Sequence, residues 1–163
     1  MRRKFADYIY EEMKVNKDIY VLTADLGYKM WDTIRDEFPD RFYNVGSAEQ
    51  LMLGIAIGLA QNGKIPICYS ITSFLIFRPF ELIKLYLDGE KCPAKLVGSG
   101  YDNDYERDGV THRFDSYDLN ILQQLENIEI YRYSPMNSKL QKEEDLFKQF
   151  LYDNNPSLLI LRR

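Results

Sequence analysis

An acidic residue stands directly before a long apolar run in the stretch NVGSAEQLMLGIAIGLAQNG, residues 44–63. The acid is Glu49, and the run covers residues 51–60. A carboxylate at the start of a helix complements the positive end of the helix dipole, which contributes ~0.3–1 kcal/mol. A carboxylate can also exchange a proton with a bound ligand. The position of Glu49 alone favours the helix-dipole interpretation over proton exchange with a ligand. The sequence of the helix that follows is therefore needed to choose between these two interpretations.

Two further features could take part in chemistry. His112 is the only histidine and lies in the segment RDGVTH, so any imidazole chemistry of this chain must come from it. A single loop histidine is usually just solvated.

Phe74, Phe77 and Phe80 follow each other at intervals of three in TSFLIFRPFELI. A stripe with this spacing belongs more often to a hydrophobic core than to a binding site.

The apolar run predicts a helix with unusual surroundings. Ser47 and Gln50 fit a capping box, which places the helix at residues 47–62. A glycine inside a helix costs about 1 kcal/mol relative to alanine, so Gly54 and Gly58 on one face indicate close approach of another backbone. A helix that is apolar nearly all round must be covered on all sides. We therefore expect a partner subunit to cover part of it.

Bulk composition excludes several classes of function. The chain has 163 residues, 45% of them hydrophobic and 28% charged, which is enough for a compact core. Its formal net charge is -4 and its basic residues are scattered, so we expect no nucleic-acid partner. No apolar run reaches the ~20 residues that cross a bilayer, which predicts a cytoplasmic protein without a membrane partner. Cys68 and Cys92 lack metal-ligand spacing and are expected to be reduced thiols.

The remaining pattern alternates strands with helices. This order predicts an α/β three-layer sandwich with a mostly parallel sheet of about six strands, because right-handed crossovers lay the helices over both faces. We expect residues 1–163 to form a single domain, with ligands at the carboxyl ends of the strands. The predicted helices cover residues 3–15, part of GYKMWDTIRDEF, 47–62, 74–87, 118–125 and 140–152, and the clearest strands lie in IYVLTAD, KIPICYSI, AKLVGS, IEIYRYS and SLLILRR.

The segment FPDRFYNVGSAEQLMLGIAIGLAQNGKIP resembles the central, pyrimidine-binding domain of transketolases and deoxyxylulose phosphate synthases. These enzymes use thiamine diphosphate. The resemblance implies that Glu49 bonds the N1′ nitrogen of the cofactor's aminopyrimidine and so promotes deprotonation of the thiazolium carbon. It also implies that Phe77 stacks on the pyrimidine ring, with Phe74 and Phe80 lining the same pocket. On this interpretation Glu49 is catalytic as well as cofactor-binding.

The same resemblance assigns roles to residues elsewhere in the chain. The pattern D-G-x-T-H implies that His112 is catalytic and either bonds substrate oxygens or assists proton transfer. Asp25 and Leu26 match an A-D-L segment near the thiazolium end of the cofactor, although an acid that ends a strand and caps the next helix is an equal alternative. Lys29 is expected to contact the substrate phosphate or to be exposed. Arg163 aligns with an arginine that binds the sugar phosphate, or frays at the end of the chain.

This chain departs from the family pattern just before the histidine. The family often has S-H-A-G followed by a glycine-rich turn, whereas this chain has SGYDNDYERDG. Gly100 stands where the first histidine is expected, and Asp102 and Glu106 replace glycines. The substrate end of the pocket is therefore expected to be altered.

The chain also lacks the family's G-D-G and N-N pair, which holds Mg²⁺ and the diphosphate, and no metal ligand is predicted. We therefore expect the small subunit of a split transketolase-like enzyme, whose partner supplies the diphosphate domain, in an α2β2 hetero-oligomer. The expected reaction transfers a two-carbon ketol unit between sugar phosphates or related sugars. The alternatives are a deoxyxylulose phosphate synthase-like subunit, the β subunit of a 2-oxo acid dehydrogenase, or a noncatalytic interaction module on the same fold.

Overall fold

The computed structural model describes residues 1–132 and 142–162. Its centre is a six-stranded sheet with the order β2-β1-β3-β4-β6-β5, and every adjacent pair of strands is parallel. The predicted sandwich with a sheet of about six strands is therefore confirmed. The strands are β1 (Ile19–Thr23), β2 (Phe42–Asn44), β3 (Ile65–Ile71), β4 (Lys95–Ser99), β5 (Glu129–Arg132) and β6 (Ser157–Leu161).

Helices cover both faces of the sheet and form two separate hydrophobic cores. The interior strands β4 and β6 are buried at every residue, which explains why their sequences do not alternate between apolar and exposed polar residues. One face carries α3 (Glu49–Gln61), α4 (Thr72–Phe77), α5 (Phe80–Leu82), a π-helical turn (Ile83–Gly89) and α6 (Ser116–Leu122). The other carries α1 (Arg2–Val15), α2 (Asp32–Glu37) and α7 (Glu143–Tyr152).

The predicted start of the third helix was wrong. Helix α3 begins at Glu49, its N-cap residue is Ala48, and no side chain caps it. The Ser47–Gln50 capping box therefore does not form. Ala48 instead closes a tight turn by donating its backbone N–H to the carbonyl of Gly46, at 2.7 Å, which leaves Ser47 exposed outside the helix. Glu49 still lies in the first helical turn, as predicted.

The helix predicted at residues 74–87 is broken in the structure. Helix α4 starts two residues earlier, at Thr72, and ends at Phe77. Pro79 has no backbone N–H and cannot continue the ladder of hydrogen bonds, so a new helical segment starts at Phe80. The break leaves Phe77 and Arg78 at an exposed corner.

Two predicted elements extend beyond the described residues. The end of IEIYRYS and the start of the helix at residues 140–152 fall within residues 133–141, and Arg163 also lies outside the described part of the chain. Over residues 1–132 and 142–162, no helix is long and apolar enough to span a membrane.

Candidate active site

Glu49 is a buried carboxylate at the start of α3. Its side chain is only 1% exposed, and it lines an open pocket of about 470 Å³ together with residues 47, 48, 50, 51 and 78. The hydroxyl of Ser70, near the carboxyl end of β3, donates a hydrogen bond of 2.8 Å to Oε1. Arg78 Nη1 donates one of 2.5 Å to Oε2. Both carboxylate oxygens therefore have a partner, and one of these partners is a cation.

Aromatic side chains of α4 continue the site from Arg78 towards His112. The guanidinium carbon of Arg78 lies over the ring of Phe74, 3.8 Å from its centroid. The imidazole of His112 packs edge-on against Phe74, with 4.8 Å between ring centroids. Glu49, Arg78, Phe74 and His112 thus form a continuous chain of contacts, although 63 positions separate Glu49 from His112 in the sequence.

The loop that carries His112 is fixed to α4 by hydrogen bonds. Ser73 Oγ donates to the carbonyl of Thr111 at 2.6 Å, and Thr111 Oγ1 lies 3.1 Å from His112 Nδ1. His112 itself is half-buried. A buried hydroxyl therefore sets the position of the D-G-V-T-H loop relative to the aromatic helix.

Phe77 is the exposed aromatic residue of α4. Its side chain is 43% exposed, and it lines a second pocket, of about 280 Å³, with residues 73, 110, 111, 113, 115 and 118. Its ring packs against Phe114 at 5.9 Å. Phe77 is therefore available to a flat ligand but lies in a different pocket from Glu49. The predicted core role of the stripe applies more closely to Phe74 and Phe80, which are half-buried.

The carboxyl end of β4 contacts α4 closely. Thr72 Oγ1 donates to the carbonyl of Gly100 at 2.6 Å. A Cβ atom at Gly98 would lie 2.5 Å from Thr72 Oγ1, and one at Gly100 would lie 2.3 Å from the ring of Tyr105. The space that a histidine would need at position 100 is therefore filled by Tyr105, whose hydroxyl lies 2.9 Å from Ser99 Oγ.

The segment after Gly100 is held by charge as well as by packing. Arg162 forms ion pairs with Asp102, at 3.5 Å, and with Asp104, at 3.1 Å. Asp102 has a φ of 54°, the left-handed region that glycine prefers. The acidic residue in a glycine position is thus strained but paired with a cation. The predicted alteration of this loop is consistent with these contacts.

Other predicted site residues lie apart from Glu49. Asp25 and Lys29 are exposed and Leu26 is half-buried, in the loop after β1 at the same edge of the sheet. Asp25 donates its backbone N–H to Asn44 Oδ1, and its side chain does not cap α2, whose N-cap residue is Trp31. The ammonium of Lys29 lies 5.5 Å from the ring of Tyr28. Their predicted roles, like those of Arg163 and the other site residues, stay predictions.

Ser70 and Arg78 contact Glu49 but were missed in the sequence. Ser70 is one polar residue in an otherwise apolar strand, which was a usable signal, because a buried hydroxyl needs a partner. Arg78 gave no signal, since an arginine before a proline is ordinary at an exposed corner. Its pairing with Glu49 depends on how the two helices are placed.

A buried lysine lies at the start of β4, at the amino ends of the strands and opposite the candidate active site. Lys95 is 1% exposed, and its ammonium donates hydrogen bonds to the carbonyls of Asp153 and Asn155 at 2.6 and 2.8 Å. Burial lowers its pKa to about 8, and the nearby charge of Asp153 opposes this shift. Lys95 holds together the turn before β6 and is remote from the candidate active site.

The described residues contain no group of three or more acidic, histidine or cysteine side chains that could hold a metal ion. Cys68 and Cys92 are both buried and free, and burial raises the pKa of each thiol.

A doubly wound parallel sheet with a buried carboxylate and aromatic residues at the carboxyl ends of its strands defines an α/β domain whose candidate site lies where such sheets bind ligands. The family model for the transketolase pyrimidine-binding domain matches residues 1–163, and the chain belongs to this family. The predicted resemblance is confirmed.

Several relatives are named as parts of transketolases. A Methanocaldococcus jannaschii protein named as a transketolase C-terminal section is 33% identical over 129 residues, which is 78% of this chain and 40% of that protein. The 6-deoxy-6-sulfo-D-fructose transketolase subunit SqwH of a Clostridium species is 29% identical over 164 residues, or 100% of this chain and 49% of that protein. A subunit of the apulose-4-phosphate transketolase of Actinobacillus succinogenes is 36% identical over 101 residues, which is 62% of this chain and 32% of that protein. The chain spans less than half the length of each relative.

Solved structures share the fold. A split-gene transketolase, described as an inactive beta4 tetramer, superposes with a TM-score of 0.78 at 26% identity, over 98% of this chain and 50% of that one. Transketolase from Leishmania mexicana superposes with a TM-score of 0.74 over 98% of this chain and 25% of that one. Its 18% identity makes this second likeness one of fold alone.

Proposed function

We propose that this chain supplies the pyrimidine-binding half of a split transketolase-like enzyme that depends on thiamine diphosphate. The observation that carries the proposal is the carboxylate of Glu49, 1% exposed yet at the wall of a pocket of about 470 Å³. Helix-dipole stabilisation needs no burial, so the dipole alone does not explain why this carboxylate lies 1% exposed between Ser70 and Arg78. A buried acid at a pocket wall suits proton exchange with a ligand.

The residues present fit the aminopyrimidine ring. Glu49 would hold the ring nitrogen, and Phe74, whose ring lies next to the Glu49–Arg78 pair, would line the pocket. Phe77 lies in a neighbouring pocket of the free chain, and its stacking on the ring stays a prediction. His112, tied to α4 through Thr111, would bond substrate oxygens. When bound, the cofactor supplies an electron sink for breaking a carbon–carbon bond. The contribution of this chain is to hold the pyrimidine, to move a proton at its ring nitrogen and to orient the substrate.

The proposed partner is a separate subunit that carries the diphosphate domain and its Mg²⁺. The outer face of α3 supports this part of the proposal. Leu51 is 57% exposed, and Cβ atoms at Gly54 and Gly58 would meet nothing within 4 Å. This smooth apolar face is open within the chain and offers close approach to another backbone. The names of the relatives, which include subunits and a C-terminal section, support a separate partner chain, and we propose an α2β2 assembly with it.

The proposed reaction is transfer of a two-carbon ketol unit between sugar phosphates or related sugars. Two relatives are named as subunits of transketolases for 6-deoxy-6-sulfo-D-fructose and for apulose 4-phosphate. The altered loop from Gly100 to His112, with Asp102 and Asp104 paired to Arg162, fits a substrate other than the common pentose phosphates.

The test of the proposal is Glu49→Gln in the complex with the diphosphate-domain subunit. This nearly isosteric change keeps the hydrogen bond from Ser70 but removes the acid. Loss of acid–base assistance of this kind costs ~10²–10⁴ in rate. We expect hydrogen exchange at C2 of the bound cofactor, and turnover with it, to fall by that amount while the subunits stay associated.

Glu11→Gln is the matched control, because Glu11 is exposed on α1 and forms a surface ion pair with Lys14. It should leave exchange and turnover unchanged. Exchange rates of wild-type and Glu49→Gln complexes within a factor of a few of each other would reject the proposal and favour a noncatalytic interaction module.

A further inference from the structure

The guanidinium of Arg78 makes one contact that a bound aminopyrimidine would make under the proposed function, and a second with an aromatic residue predicted to line the same pocket. It donates a hydrogen bond of 2.5 Å to Oε2 of Glu49. It also lies flat over an aromatic ring of α4, with its central carbon 3.8 Å from the centroid of Phe74. A planar, cationic group of this kind can imitate a protonated heterocycle in both its charge and its shape.

Both oxygens of the Glu49 carboxylate already accept hydrogen bonds within the chain. Oε1 accepts from the buried hydroxyl of Ser70, on the interior side. The Glu49 side chain is 1% exposed, whereas that of Arg78 is 44% exposed at the same pocket. Oε2 is therefore screened from the pocket by the guanidinium. A ring nitrogen can reach it only after Arg78 has moved.

We propose that Arg78 is an internal competitor of the cofactor, a side chain that occupies the pyrimidine's place on Glu49 until the cofactor displaces it. This inference rests on the proposed function. The ion pair satisfies a buried carboxylate that would otherwise be unpaired, so it stabilises the free chain. The same ion pair raises the cost of binding, because a cofactor must break it and because a retained cation would repel a protonated ring nitrogen.

The test compares cofactor affinity in complexes with the diphosphate-domain subunit. Thiamine diphosphate with Mg²⁺ is titrated calorimetrically into the wild type, Arg78→Gln, Arg78→Lys and the control Arg35→Gln. Arg35 is also an exposed arginine with acidic partners, Asp32 and Asp36, but it lies on α2. We expect Arg78→Gln to bind about tenfold more tightly, Arg78→Lys to lie between it and the wild type, and Arg35→Gln to be unchanged.

The direction of the change separates competition from a merely structural role. Loss of a supporting ion pair would lower both stability and affinity. Loss of a competitor lowers the stability of the free chain and raises affinity. A second measurement needs no variant: the side-chain N–H resonance of Arg78 in the wild-type complex should shift when cofactor is added.

The outcomes are distinct. Equal or weaker binding by Arg78→Gln, with an unmoved Arg78 resonance in the wild type, overturns the competitor and leaves the proposed function intact. Absence of cofactor binding in both the wild type and Arg78→Gln overturns both proposals. If Arg78→Gln does not fold, Arg78→Lys and the resonance of the wild type decide the question.

Discussion

Alanine in place of Gly98 should destabilise the chain through a single identifiable collision. Gly98 lies in the buried strand β4, and its φ is not in the left-handed region, so alanine can adopt the same backbone. A Cβ there would lie 2.5 Å from Oγ1 and 2.9 Å from Cγ2 of Thr72. Thr72 is 0% exposed and starts the helix that carries Phe74 and Phe77. The collision therefore falls at the base of the candidate active site.

Three contributions set the size of the effect. Inserting a methyl group into a packed core costs ~1–3 kcal/mol. Moving Thr72 also weakens its hydrogen bond to the buried carbonyl of Gly100, and an unsatisfied buried acceptor costs ~1–3 kcal/mol. Replacing glycine by alanine gains ~0.4–1 kcal/mol by restricting the unfolded chain. Because partial relaxation will spare part of the hydrogen bond, we expect a net loss of about 2–4 kcal/mol in the free energy of unfolding.

Urea unfolding of the chain, followed by circular dichroism, measures this loss. Gly54→Ala is the matched control: it makes the same chemical change at a helical glycine with nothing within 4 Å, and it should stabilise the isolated chain by about 0.5–1 kcal/mol. If glycine to alanine lowers the free energy of unfolding at position 98 and raises it at position 54, the packing around each glycine is the cause.

A double-mutant cycle then tests the named contact. Thr72→Ala removes the two closest atoms and its hydrogen bond, at a cost of about 1–2 kcal/mol. The double variant should be less destabilised than the sum of the single variants by at least about 1 kcal/mol. Strict additivity, or a Gly98→Ala variant within about 0.5 kcal/mol of the wild type, would show that the collision with Thr72 is not the cause.

Two further predictions concern the buried lysine and the open helix face. The folded-state pKa of Lys95, about 8, lies below its ordinary 10.5, so the unfolded chain binds more protons between these values and this residue's contribution to stability rises with pH. Burial of the Cys68 thiol acts in the opposite direction, so the test subtracts it by comparing wild type with Lys95→Met. In urea unfolding, the free energy of unfolding of the wild type minus that of Lys95→Met should rise by up to about 2 kcal/mol from pH 7.5 to 9.5. A difference that does not change with pH would contradict the assignment. Gly58→Leu places a large side chain on the outer face of α3 and should weaken association with the diphosphate-domain subunit by at least about tenfold in sedimentation analysis, with little effect on the chain alone. If the Gly58→Leu chain binds the diphosphate-domain subunit with unchanged affinity, the outer face of α3 is not the interface.

Most of the fold followed from the sequence because its signals are local. Strands β3, β4 and β6 are apolar runs bounded by turns, and the helices between them carry a helical period, so their order specifies a parallel sheet with two covering layers. Two of the errors were at helix ends. A serine two residues before Glu49 imitated a cap, and a continuous apolar stripe concealed the break at Pro79. Caps and breaks depend on backbone geometry, which residue spacing reports poorly.

The sequence predicted three features, because adjacent residues encode each of them: the layers of the fold, the family, and an acid at the start of α3. The surroundings of that acid could not be predicted. Arg78 reaches Glu49 because β3 places the end of α4 beside the start of α3, and Tyr105 fills the space above Gly100 because its loop turns back over β4. Both contacts join residues whose own neighbours in the sequence are unremarkable. Distances between such groups are set by the packing of whole elements, and no local pattern of residues encodes them.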